Sequence, residues 1–277
     1  MKNPKPHVLL LITSLTLPVA VFASESSVTN FDDSITNSMS GSAVNLRPLT
    51  SGEYDHVTDA RTIGAGQFQV EGAFINYYFN SSTPRFHSSN AYLWDPCFTL
   101  GLWTNVDLFV RPSYEIQNYN YISGTSEFGR VDTGVKVNLW GNESGTTALG
   151  VEPYLSIPTH GGNVLGGLDL ALLVRLKYGF YLKFDSDFYT IENGNDTVYP
   201  AFGNSMSINK SLCSKAEAYW YLDSYATTAP RMPWYGYTGF GLKYNFLNNL
   251  QLFAGMGFGL TSSSYDYNPR AGLVWRF

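Results

Sequence analysis

Residues 271–277 read Ala-Gly-Leu-Val-Trp-Arg-Phe, and the spacing of their side chains decides the fold. Ala271, Leu273, Trp275 and Phe277 fall two apart, while Arg270, Gly272 and Arg276 fall between them. Successive side chains of a strand point to opposite faces, so this is a strand with one apolar and one wet face. It runs to the last residue. The final residues of a soluble domain are usually loosely held, whereas these belong to a sheet.

The same period recurs upstream. Val106, Leu108, Val110, Pro112, Tyr114 and Ile116 share one face, opposed by Asp107, Arg111, Ser113, Glu115 and Gln117. Leu168, Leu170, Leu172, Val174 and Leu176 oppose Asp169, Arg175 and Lys177, and Phe180, Leu182, Phe184 and Phe188 oppose Lys183, Asp185 and Asp187. Val131, Val135, Val137 and Leu139 stand against Asp132, Lys136 and Asn138. Helical spacing fits none of these runs. Segments of this kind fill residues 66–277 and predict about 12 antiparallel strands. Tight connections at 104–105, 141–144, 178–179, 212–214 and 248–249 alternate with longer ones near 80–90, 119–127, 159–164, 191–197, 227–233 and 262–266. Short turns on one rim and longer loops on the other mark a transmembrane β-barrel.

A soluble sandwich or lipocalin-like barrel produces the same alternation with the faces exchanged. Volume separates the two. About 8 strands already enclose just enough space for side chains or one small ligand, so about 12 leave an interior that one apolar face cannot fill. A wet lumen inside an apolar outer surface removes that difficulty. Aromatic residues make up 16% of the chain, enough to supply the two girdles such a barrel needs at its interfaces. Trp275, Phe277, Phe246 and Phe180 fall near the short-turn rim, and Tyr92, Trp94, Tyr114, Phe188 and Trp234 near the other. Trp275 and Phe277 are also the expected assembly signal, a C-terminal aromatic pair read by the barrel assembly machinery.

The N-terminus has another character. Lys2 and Lys5 precede an apolar run that closes on Val21-Phe22-Ala23, the pattern of a secretory signal peptide cut after Ala23. Export and a barrel together predict the outer membrane of a Gram-negative cell, with its lipid bilayer as partner. Residues 24–65 read as a flexible leader, a plug or a periplasmic segment, with 46–65 packing against or just inside the barrel. Removing residues 1–23 takes two lysines from a chain of net charge −5, which excludes a basic nucleic-acid surface. Cys97 and Cys213 fall on distant strands, so no disulfide is expected.

Three stretches resemble the outer-membrane family named for the phenol-degradation meta-pathway, whose members are described mostly as transporters. They are Thr62–Glu71 (TIGAGQFQVE), Val135–Gly161 and Gly239–Phe277. The resemblance spans about residues 47–277 and implies a barrel that acts as a channel for small, aromatic or hydrophobic solutes. The family often carries Arg-Pro-Asp and then Glu-Ser-Pro before the first strand. Here Arg47 and Pro48 stand without the following Asp or Pro.

Parity places a mixed set of charges on the inner face. The expected pore-lining residues are Arg111, Glu115, Asp132, Lys136, Asp169, Arg175, Lys183, Asp185, Glu217 and Arg270, accompanied by Glu71, Asp107, Glu152, Lys177, Asp187, Lys215, Asp223, Lys243 and Arg276. Arg111 and Glu115, with Asp132 and Lys136 on the next strand, are the expected constriction. The acidic excess predicts a weak cation preference. Tyr119, Tyr121, Tyr265 and Tyr267 form an outer-rim aromatic set that either stacks solutes or anchors the interface. One rival is a lipid hydrolase, because His87 and Ser89 in FHSSN resemble the His-x-Ser-Asn stretch of outer-membrane phospholipases. Another is a structural or surface-recognition barrel without transport. His56 and His160 lie far apart along the chain, and no motif points to a metal or other cofactor.

Overall fold

The computed structural model describes residues 47–49, 52, 56–79, 88–119, 125–143, 145–192 and 196–277. The expected signal peptide over 1–23 and the leader up to residue 45 lie outside the described residues, as do His87 and Tyr121.

Twelve antiparallel strands close into a barrel in sequence order. They are β1 (Phe68–Phe79), β2 (Ser88–Trp103), β3 (Val106–Tyr119), β4 (Thr125–Trp140), β5 (Thr147–Pro158), β6 (Leu165–Arg175), β7 (Phe180–Glu192), β8 (Val198–Ser211), β9 (Ala216–Thr227), β10 (Tyr235–Leu247), β11 (Leu250–Gly259) and β12 (Tyr267–Arg276). Closure is made by β1 against β12, with Gln69 opposite Arg276 and Asn76 opposite Arg270. Phe277 continues that seam. Its N–H donates to the Phe68 carbonyl at 2.7 Å, and its carbonyl accepts from the Phe68 N–H at 3.3 Å. The opening stretch is thus one side of the seam that leaves the sheet without an edge.

The two faces are sorted as the alternation predicts. Phe240, Leu242 and Phe246 are each 57% exposed on the outer surface of β10, while Lys243 between them is 7% exposed. Without water in the bilayer core, each backbone polar group needs an internal partner, and a closed ladder supplies it. Local departures come from bulges. Phe74 and Ile75 are both exposed because the register shifts between Ala73 and Ile75, which turns Asn76 inward beyond the shift. Leu139 and Trp140 are both exposed at a second shift, between Asn138 and Trp140. A bulge sets two residues against one and so moves the inner set by one position.

Glycines on the inner wall receive aromatic rings from adjacent strands. A Cβ on Gly241 would stand 2.2 Å from the Tyr219 hydroxyl, and one on Gly239 would stand 2.5 Å from the Tyr221 ring. Tyr219, Tyr221, Phe253 and Ala73 form a buried cluster there. The repeated Gly-x-Gly spacing of β10 and β11 is therefore space for tyrosines lying along the wall.

Candidate functional site

A second layer of chain occupies the lumen. Val57, Asp59, Ala60, Thr62 and Ile63 are all at most 3% exposed, although none belongs to a strand. Irregular backbone buried this deeply must have each N–H and C=O satisfied by something other than a ladder. Inward side chains do it. The Thr58 N–H donates to Asp185 Oδ2 at 2.7 Å, and the Ile63 N–H to Asp107 Oδ2 at 2.9 Å. Lys183 Nζ donates to the Val57 carbonyl at 3.1 Å, and Asn138 Nδ2 to the Ala60 carbonyl at 2.7 Å. The Thr62 N–H donates to Asn142 Oδ1 at 2.9 Å. These partners come from β3, β4, β7 and the β4–β5 turn. His56 lies against Asp223 of β9 and Arg270 of β12, so the segment crosses the lumen.

Arg47 and Thr62 both meet the short-turn rim. Arg47 donates to the Thr104 carbonyl at 2.7 Å, to Thr62 and to Glu143, and Arg276 donates to the Arg47 carbonyl at 2.7 Å. Arg276 is 1% exposed and also holds Gln69 Oε1 at 2.7 Å. The turn from this inner segment into β1 is made by Gly64 (φ +106°) and Gly66 (φ +75°), a conformation that glycine adopts without strain. Gly101 admits it. A Cβ on Gly101 would stand 1.7 Å from the Gly64 carbonyl oxygen.

Charges inside the segment are compensated locally. Arg61 grips Asp59 with Nε at 3.0 Å and Nη2 at 2.9 Å. Burial raises the Asp59 carboxyl, but the Arg61 guanidinium outweighs it, with help from Lys183, and holds the group well below the usual carboxylate range. Burial, with Arg270 nearby, pushes the His56 imidazole well below its usual range. The geometry agrees, because a guanidinium only donates. His56 Nε2 must accept from Arg270, leaving the proton on Nδ1, 3.5 Å from Asp223 Oδ2.

Acidic side chains line the lumen wall above the segment. Glu152 of β5 stands directly opposite Asp169 of β6, which stands directly opposite Asp187 of β7. Lys136 Nζ reaches Glu152 at 3.4 Å, and the Tyr154 hydroxyl donates to Asp187 at 3.0 Å. A cavity of about 310 Å³ opens beside this row, bordered by Asp132, Asp185, Arg111 and Arg270 as well. A wider one of about 740 Å³ lies at the long-loop end between β4 and β7, lined by Arg130, Tyr154, His160, Tyr189 and Glu192.

The predicted pore-lining residues fall as follows. Arg111 pairs in register with Asp132, and both border the smaller cavity. Lys136 is in register with Asp107, but its ion pair runs the other way, to Glu152. Glu115 pairs in register with Glu127, and its side chain lies outside the described ones. Asp169, Asp185 and Arg270 line the smaller cavity, and Lys183 is fully buried against the inner segment. Glu217 accepts from Lys243 and from the Tyr181 hydroxyl. Arg175 is exposed at the last position of β6 on the short-turn rim. Tyr265 packs on Tyr78 at 4.8 Å, and Tyr267 stacks on Phe79 at 4.4 Å with 39% exposure. Tyr119 pairs in register with Ser88, its side chain outside the described ones. Trp275 and Phe277 are 43% and 56% exposed, with ring centres 4.3 Å apart.

Sequence reasoning missed His56, Asp59 and Arg61, which it left in the leader, and Arg130, which shares the parity of Asp132 and lines the same cavity. Arg130 Nε donates to Ser156 Oγ at 2.9 Å, and Nη2 donates to the Ser156 and Asn163 carbonyls. An Asp and an Arg two apart just before the first strand were the available signal for the inner segment.

The family profile described as "Putative MetA-pathway of phenol degradation" matches residues 33–277. No curated protein matches the sequence. Among solved structures, the barrel is similar to an outer membrane channel from Pseudomonas putida F1, with 10% identity over 83% of this chain and 100% of that one and a TM-score of 0.65. The NanC porin (11% identity, 75% and 98% covered, TM-score 0.49) and the CymD monoaromatic hydrocarbon channel (7%, 77% and 88%, 0.46) are less alike. At such identities the likeness is one of fold.

Proposed function

The chain belongs to the family described as "Putative MetA-pathway of phenol degradation", and on that premise we propose that it is an outer-membrane channel for small solutes, closed by its own residues 56–66. The observation that carries the reading is the inner segment. A chain that crosses a closed barrel, and is held there by side chains rather than by a ladder, is a plug that can leave without opening the sheet. The solved channel of the same fold supports the transport half of the proposal, and the family's association with phenol degradation supports aromatic or hydrophobic solutes. The 740 Å³ cavity at the long-loop end is of a size that takes a small molecule, and its Tyr154, Tyr189 and Ile191 would meet one. Export by residues 1–23 and insertion into the outer membrane belong to the same proposal.

Planar-bilayer recordings of the mature chain, and of the same chain lacking residues 24–66, test it. The shortened chain is expected to give larger conductance steps. Silence from both, with heat-modifiable gel mobility confirming folded barrels, would overturn the channel reading.

A further inference from the structure

The row Glu152–Asp169–Asp187 is costly as it stands, because like charges directly opposite on neighbouring strands destabilise a sheet. Each of the neighbouring carboxylates has a protein partner: Glu152 has Lys136, Asp187 has Tyr154, and Asp185 has the Thr58 N–H. Asp169 differs. It is 6% exposed and takes a side-chain hydrogen bond from Thr58, yet its Oδ1 is buried with no hydrogen-bond partner among the described residues. A buried carboxylate oxygen left this way carries a desolvation cost that a ligand would remove. It borders the 310 Å³ cavity, whose lining holds five carboxylates (Asp132, Glu152, Asp169, Asp185, Asp187) against two guanidiniums, Arg111 and Arg270.

We propose that this cavity is a cation site on the lumen wall, with Asp169 as its principal ligand and Glu152 and Asp187 flanking it. No group of three such side chains among the described residues is close enough to grip a metal ion directly. The occupant is therefore a small monovalent cation, either a partly hydrated alkali ion or a primary ammonium ion, with water filling the rest of the cavity. The site depends on the docked inner segment, because Thr58 helps to orient Asp169. It rests on the channel reading only for access from solution.

The test is thermal unfolding of the full mature chain in zwitterionic detergent at constant chloride. Potassium or methylammonium is exchanged for N-methylglucamine, which is too bulky for the row. Saturable stabilisation of about 3–5 °C at a tenfold excess over the dissociation constant is expected. The relative concentrations at half-effect say which cation the site prefers. Asp169→Asn should abolish the dependence and raise the midpoint in N-methylglucamine, because it removes the central like charge. Asp187→Asn serves where Asp169→Asn does not fold, and should weaken the dependence at least tenfold. A wild type with no cation dependence, or variants that keep it in full, would overturn the site. Bilayer recordings of the same preparation separate the two readings. Conductance without a cation effect removes the site and leaves the channel, and a saturable effect in a silent barrel does the reverse.

Discussion

Gly150 offers a way to loosen the inner segment without touching a charge. It lies on β5, opposite Asn138 of β4, and faces the Ala60 backbone. A Cβ there would stand 2.7 Å from the Ala60 carbonyl oxygen, 3.1 Å from its Cα and 3.2 Å from its carbonyl carbon, where ordinary contact begins at 3.4 Å. All three atoms are backbone, and the same oxygen accepts from Asn138 at 2.7 Å, so the segment cannot yield without stretching that bond. Overpacking of this degree costs about 1–3 kcal/mol. Gly150→Ala should therefore raise the released fraction of the segment about 5–150-fold while the strands stay paired. Tryptic cleavage after Arg61 reads that fraction. The Arg61 side chain is 11% exposed inside the barrel, so a protease reaches the bond only after release. Where release and return are fast beside cleavage, the rate follows the released population. Gly166→Ala is the control, since its new methyl would make ordinary contacts of 3.4 and 3.6 Å. Cleavage of Gly150→Ala at the wild-type rate, in a barrel that keeps its heat-modifiable mobility, would refute the docked arrangement.

Docking should also weaken in mild acid. His56 faces Asp223, Arg270 and the Tyr221 ring, and its imidazole is held well below the ordinary value of 6.5. A released segment takes up a proton near that value while the docked one does not, so docking is full above about pH 6.5 and declines as pH falls below it. Amide exchange over residues 57–63, corrected for intrinsic rates, should quicken from pH 7.5 to 5.5 in the wild type and not in His56→Gln. Asp59 keeps its charge across that window. On the lipid side, Leu242→Arg places a cation in mid-β10, where the leucine is 57% exposed. Urea unfolding in bilayers should show a loss of about 2–4 kcal/mol, and an unchanged midpoint would mean that this face does not meet lipid.

Alternation alone determined the strands, their faces and the two rims, because a period of two is a local property that no distant contact alters. The meeting of Arg111 with Asp132 was legible for the same reason, since parity puts both on the inner face of neighbouring strands, where they pair in register. Bulges were not. A shift at Phe74 or Asn138 is decided by how the adjacent strand meets it, and Asn76 turned inward unannounced for that reason. Partners across the lumen were hidden as well. Asp223 finds His56 because barrel closure brings together side chains whose sequence separation carries no information about distance. The inner segment is the clearest case. Residues 56–63 have no period, since their polar groups are satisfied by side chains from several strands, and only the closed tertiary structure puts those side chains around them.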